Sequence, residues 1–187
     1  MASLTGKPAE NEGALLQQQQ FLTFMLGGET YAIGILHIKE IIEYGQVTAV
    51  PMMPEFIRGV INLRGRVVPV VDMAVRFGQK AAAVGKRTCI VILEIEADSD
   101  DRQDIGVVVD AVNEVLEIPH EEIEPAPAFG AKIRTDFIHG MGKVNGRFVI
   151  ILNVSRVLSA EELASLEQHV LAGAETAAGV QEAPVSA

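Results

Sequence analysis

Two stretches of this chain carry nearly the same sequence. FIRGVINLRGRVVPVVDMAVRF (Phe56–Phe77) aligns without a gap with FIHGMGKVNGRFVIILNVSRVL (Phe137–Leu158), at a constant offset of 81 residues (137 − 56). Phe56/Phe137, Ile57/Ile138, Gly59/Gly140, Gly65/Gly146, Arg66/Arg147 and Val68/Val149 are identical, and most other pairs keep their apolar or polar character. A shorter echo lies upstream, where IKEIIE (Ile38–Glu43) answers VNEVLE (Val112–Glu117). A repeat this long predicts two copies of one small unit in tandem. Two like units side by side suit holding partners together better than they suit catalysis.

Within each copy the pattern is β. Short runs rich in Val, Ile and Leu are separated by Gly, Pro and Asn. Phe21–Leu26 and Tyr31–Ile35 flank Gly27-Gly28-Glu29, a tight hairpin signal, and Gly59–Leu63 with Arg66–Val71 form another. His37–Tyr44, opening with a helical turn, and Val47–Val50 lie between them, and a short helix follows near Met73–Phe77. The second copy offers Thr88–Glu96, Ile105–Asp110, Val112–Ile118 and the hairpin Phe137–Val144 with Arg147–Leu152. Five strands per copy are too few for a wide open sheet but enough for a small closed barrel, which hides its own edges. With no Trp and only 5% aromatic residues, branched aliphatic side chains must fill the interior.

The expected organisation is an all-β body at 19–158. A first barrel takes about 19–78, an Ala/Gly/Lys-rich linker 79–87, and a second barrel about 88–158. Residues 1–18 are polar and aperiodic, and 172–187 are equally featureless; both read as disordered. Between body and tail, 159–171 reads as a helix. Ser159 and Glu162 form a capping box, Leu158 and Leu163 occupy the staple positions, and Leu163, Leu166 and Val170 make an apolar stripe.

Charge narrows the function. The net charge is −10, but Ser159–Ala187 holds five acids with no Lys or Arg, and Glu94–Asp104 holds six acids with one Arg. The rest carries 14 acids against 14 bases, so there is no basic surface of the kind nucleic acid requires. No apolar run reaches the roughly 20 residues of a membrane span. The N-terminus lacks an export signal, and Cys89 stands alone, both in keeping with a cytoplasmic protein. His37, His120, His139 and His169 are scattered, and no nucleophile elbow, phosphate loop or zinc pattern occurs. The acidic segment from Asp98 to Asp104 lacks the glycine and terminal glutamate of a calcium loop and reads as a solvated turn. The expectation is a protein with no catalytic residues, no metal and no cofactor.

Two polar residues are out of place. Asn145-Gly146 is the favoured pair for a type I′ turn, where both residues need positive φ, and the first copy puts Arg64-Gly65 in that slot. Either Arg64 is held in the left-handed region at a cost of roughly 1 kcal/mol, or the turn has relaxed to another type and Arg64 is a solvated charge. Glu40 alternates with Ile38, Ile42 and Tyr44 along a strand. It is either an edge-strand carboxylate that discourages wrong pairing or a partner that orients Arg64.

NLRG (Asn62–Gly65) followed by VVPVVD (Val67–Asp72) resembles the CheW family of chemotaxis coupling proteins. So do the opening FLTF with GGETYAIGI (Phe21–Ile35), IKEI (Ile38–Ile41), FIRGVINLRG (Phe56–Gly65), GVVVDAVNEVL (Gly106–Leu116) and PAPAF (Pro125–Phe129), in the same order. The resemblance spans about Phe21 to Leu166 and implies two SH3-like barrels. It implies a non-enzymatic adaptor joining chemoreceptor tips to the regulatory domain of the histidine kinase CheA in membrane-associated arrays, with no insertion into the membrane. Receptor contacts would fall on Ile38, Glu40, Arg64 and Cys89, and close approach to the kinase on Gly59 and Gly140. A sister role, in a chemosensory pathway with a non-flagellar output, is equally compatible with these residues.

Overall fold

The structure is a computed structural model that describes residues 20–81, 83–96, 102–126 and 135–158. The N-terminal segment 1–18, the C-terminal helix expected at 159–171 with its capping box, and the tail 172–187 lie outside these residues. Eleven strands are described: β1 Gln20–Leu26, β2 Glu29–Gly34, β3 Ile38–Glu43, β4 Ile57–Leu63, β5 Arg66–Asp72, β6 Cys89–Glu96, β7 Arg102–Val109, β8 Ala111–Glu117, β9 Ile123–Glu124, β10 Ile138–Val144 and β11 Arg147–Leu152. Two one-turn helices, α1 (Met73–Arg76) and α2 (Val154–Val157), close the two repeats at matching positions.

The strands form two sheets, β3-β6-β7-β5-β4 and β8-β1-β2-β11-β10-β9. The all-β, two-barrel architecture is as expected, but the division of the chain between the barrels is not. The expected barrels at about 19–78 and 88–158 would each keep their own strands. Instead the opening hairpin of each repeat belongs to the other repeat's barrel. β1–β2 pairs with β8 on one side and, in parallel, with β11 on the other, through Tyr31↔Ile150 and Ala32↔Ile151. β6–β7 pairs with β3 and, again in parallel, with β5, through Val70↔Gly106 and Val71↔Val107. We refer to the sheet containing β4–β5 as the first barrel and to that containing β10–β11 as the second.

The side-chain pattern gives the physical reason. Along β6, Ile90 and Ile92 join a cluster with Ile61, Val68, Val70 and Val108 inside the first barrel. Val91, Leu93 and Ile95 point the opposite way, into a larger core shared with Leu22, Phe24, Leu26, Tyr31 and Ile33 of β1–β2. β2 is built likewise, with Ala32 beside Phe21, Ile118, Val149 and Ile151 inside the second barrel. Hairpins that are apolar on both faces must be covered twice, once by a barrel interior and once by the neighbouring barrel. A second difference is small: Val47–Val50 is no strand but leaves one bridge, Thr48↔Val60.

Asp72 links fold and site. At 1% exposure it caps α1, accepting from the Ala74 and Val75 amides, and takes the Arg58 Nε–H at 2.8 Å. Burial works against the charge on Arg58, yet Asp72 and Tyr44 outweigh it and hold its pKa above the ordinary value. The repeat partner of Asp72 is Asn153, which starts α2 without a side-chain cap bond.

Candidate functional site

The two hairpin tips show what the repeat retains and what it changes. Arg64 and Gly65 have φ of 53° and 83°, and Asn145 and Gly146 have 50° and 76°. Both tips therefore keep the same left-handed turn, and the relaxed-turn alternative for Arg64 falls away. The turn is pinned from within, because the Gly65 amide donates to Asn62 Oδ1 at 2.8 Å. A side chain that prefers negative φ is thus held at a strained tip. Its Nη2 donates to Glu40 Oε2 at 3.0 Å, while the Arg64 side chain stays 78% exposed. Glu40 is consequently the orienting partner and not merely an edge charge.

A bulge between Ile38 and Glu40 sets which way each residue points. Below it Ile38 packs on the interbarrel core with Cys89, while Ile42 and Tyr44 pack on the interior of the first barrel. The alternation Ile38, Glu40, Ile42, Tyr44 expected on one face is therefore broken. Glu40 and Arg64 meet, but Ile38 and Cys89 lie on the other face of the same sheet. Cys89 sits opposite Glu43, and its thiol approaches the Arg87 carbonyl at 3.4 Å.

Gly59 and Gly140 are both buried. A Cβ on Gly59 would sit 2.1 Å from the Thr48 carbonyl oxygen, and one on Gly140 would meet Ile123 Cγ2 at 2.6 Å and the Glu124 oxygen at 3.0 Å. In each barrel the glycine admits an inner neighbour: the Thr48 bridge in the first, β9 in the second. Neither glycine is itself a contact surface.

Sequence patterns did not reveal three charged residues beside the Arg64–Glu40 pair. Asp104, read as part of a solvated loop, lies in β7 at 6% exposure. Lys39 Nζ donates to both its oxygens, at 3.1 and 2.9 Å, and Arg66 Nη1 lies 3.3 Å from Oδ2. Lys39 is the residue at the bulge, so Asp104 pins the backbone step that turns Glu40 towards Arg64. The available signal was that Asp104 leads directly into the apolar run Ile105–Val109 and belongs to that strand.

Arg76 was also unforeseen. Its guanidinium lies between the rings of Phe56 and Phe137, 4.8 and 5.1 Å from their centroids, and these two residues are equivalent in the repeat. Its Nε donates to the carbonyl of Val157, its own counterpart 81 residues on. One cation therefore occupies the place where the repeats meet. Repeat symmetry also governs the exposed apolar residues: Val67 and Phe148 are equivalent at 61% and 53% exposure, and Ile41 and Val115 at 43% and 54%.

Among the described residues no three His, Cys, Asp or Glu side chains converge as metal ligands, and no helix is long and apolar enough to cross a membrane. The arrangement offers charged and apolar surface at the margins of two packed barrels. It resembles proteins known elsewhere. The chemotaxis protein CheW of Klebsiella aerogenes is 38% identical over 149 residues, covering 80% of this chain and 87% of its own. That of Helicobacter pylori is 34% identical over 160 residues, covering 86% and 91%. The crystal structure of the scaffolding protein TtCheW from Thermoanaerobacter tengcongensis superposes with a TM-score of 0.68 at 31% identity, covering 86% of this chain and 96% of that one. The model of the CheW-like domain matches residues 20–162, and the chain belongs to that family.

Proposed function

We propose that this protein is a non-enzymatic adaptor of the chemotaxis system that couples chemoreceptor tips to the histidine kinase CheA, and that it works in the cytoplasm at membrane-associated arrays. The observation that carries this is Arg64. Asp72–Arg58 and Asp104–Lys39–Arg66 each centre on a buried carboxylate. Arg64 instead occupies a strained turn, and its ion pair with Glu40 leaves its side chain 78% exposed. An exposed pair of this kind contributes only about 0–1 kcal/mol to folding, so its retention is better explained by recognition. Receptor binding would use Arg64 and Glu40, with Ile38 and Cys89 contributing from the opposite face of the same sheet.

The kinase's regulatory domain is itself similar to CheW, so barrel-to-barrel contacts in pseudo-symmetric pairs would use the equivalent exposed residues Val67 and Phe148. Gly59 and Gly140 would serve those contacts from within, by letting β4 and β10 sit close to the Thr48 bridge and to β9.

The test compares two affinities in one variant. Arg64→Ala should weaken binding of a receptor-tip fragment by about tenfold to a hundredfold, the worth of one charge-assisted hydrogen bond. Affinity for the CheA regulatory domain should be unchanged. Unaltered receptor binding, or an equal loss for both partners, refutes the assignment.

A further inference from the structure

Two charges beside the Arg64–Glu40 pair are as unrepeated as Arg64 itself. The opening segments of the two repeats run at an offset of 74 residues, from Ile38 to Val112 (112 − 38). The parallel pairings give the same offset, because the equivalent residues Val70 and Ile151 face Gly106 and Ala32 (106 − 32). Glu40 therefore answers Glu114, Lys39 answers Asn113, and Asp104 answers Thr30. The second barrel keeps the glutamate, and keeps Arg147 in the place of Arg66. It has neither the lysine nor the buried carboxylate, and its turn carries Asn145 where the first has Arg64. Thr30 bonds locally instead, to Met25 Sδ at 3.3 Å.

These three differences meet in one place. Asp104, 6% exposed, takes Lys39 on both oxygens and Arg66 on Oδ2. Lys39 sits in the β3 bulge immediately before Glu40, and Arg66 opens β5 two residues after Arg64. One carboxylate thus ties together both backbones that carry the Arg64–Glu40 pair. A buried ion pair is weak support for a fold, and the second barrel closes with Thr30 and Asn113 in these places. We propose that Asp104, acting through Lys39 and Arg66, is a positioning residue for receptor engagement: it fixes the Arg64 turn against the Glu40 bulge, so that the guanidinium meets the receptor tip already aimed. The inference rests on the receptor reading of Arg64 and adds the residues that preorganise it. Ordering a side chain before binding lowers the cost of binding.

The experiment replaces Lys39→Asn and Asp104→Thr together in the full chain. This gives the first barrel the residues the second already carries, and leaves no buried carboxylate unpaired. Affinity for a receptor-tip fragment should fall about threefold to tenfold, the cost of ordering one long side chain on binding, while affinity for the CheA regulatory domain is unchanged. In an Arg64→Ala background the same replacement should cause no further loss, because Asp104 acts only through Arg64. Unchanged receptor affinity, or a loss that persists in full without Arg64, overturns the proposal. A purely structural role gives that second result. In the free protein, the Arg64 guanidinium NMR signal should move as it does in Glu40→Gln, and an unmoved signal also overturns the proposal. That signal is read without receptor, so it decides the positioning even if Arg64→Ala leaves receptor binding intact, a result that refutes the receptor reading alone. Should the double replacement not fold, Lys39→Met decides the question through the same cycle and the same signal.

Discussion

Gly59→Ala and Gly140→Ala are the same change at equivalent positions of the repeat, and the structure sets different costs for them. At Gly59, φ is +148° and a Cβ would lie 2.1 Å from the Thr48 oxygen and 2.6 Å from its carbonyl carbon. Those atoms are backbone and cannot rotate aside. Thr48 exchanges two hydrogen bonds with Val60, each 2.9 Å, and moving it far enough to admit a methyl group breaks both. Two such bonds are worth roughly 1–3 kcal/mol together, and the left-handed backbone adds about 1–3 kcal/mol of strain. Restricting the unfolded chain returns roughly 0.4–1 kcal/mol, leaving a net loss of about 1–6 kcal/mol. At Gly140 the nearest atoms are the Ile123 Cγ2 methyl at 2.6 Å and the Glu124 carbonyl oxygen at 3.0 Å, so the backbone is less closely approached than at Gly59, and the residue is not among those with positive φ. About 0–2 kcal/mol is expected there, a modest overpacking cost less the same entropy gain. Urea unfolding of the two variants measures the difference directly. A Gly140→Ala variant as unstable as Gly59→Ala, or more so, would refute the geometric account. If the account holds, any loss of kinase binding in a Gly59→Asp variant must first be corrected for the unfolded fraction.

Three further outcomes follow from the same structure. Asp72→Ala removes the cap of α1 and the partner of Arg58 together, and should lower unfolding free energy by about 2–4 kcal/mol, whereas Asn153→Ala, which removes no side-chain cap bond, should change it far less. Arg76→Ala should cost about 1–3 kcal/mol through lost stacking on Phe56 and Phe137 and the lost bond to Val157, and Arg76→Lys should restore only part of the melting temperature. Fragments 1–81 and 83–187 should each stay largely unfolded alone by circular dichroism, because each lacks the hairpin that completes its own barrel. Cooperative folding of either fragment alone would contradict the exchanged hairpins.

The repeat showed which segments are equivalent, and that much of the fold was legible: strand positions, both hairpin turns, α1 and the all-β character follow from period, glycine placement and branched residues. It could not show which copies pair. Equivalent segments satisfy the same local rules whether they close on their own repeat or on the other, and only the doubly apolar character of Ile90–Ile95 and Ile105–Val109 pointed to a buried place between barrels. For the same reason the linker 79–87 looked like a domain boundary although strands on either side of it share a sheet.

The site was legible where a residue broke its own repeat. Arg64 stood out because its counterpart is Asn145, the residue that suits the left-handed turn both of them adopt. Glu40 stood out as a carboxylate among branched aliphatics. Asp104 did not, since an acid beside other acids looks solvated until the fold brings Lys39 and Arg66 over it. Arg76 was equally silent, because its counterpart is a valine and both residues are ordinary at the end of a short helix. Its meaning appears only when Phe56 and Phe137, identical in sequence and 81 residues apart, close on it from either side. Val157, the counterpart of Arg76, meets it only through its backbone carbonyl, and its own side chain is buried, a place where a second guanidinium would lose its hydration. The asymmetry at Arg76 and Val157 therefore sets one cation between equivalent rings where the two halves meet, while the asymmetry at Arg64 and Asn145 gives one of those halves a surface the other lacks.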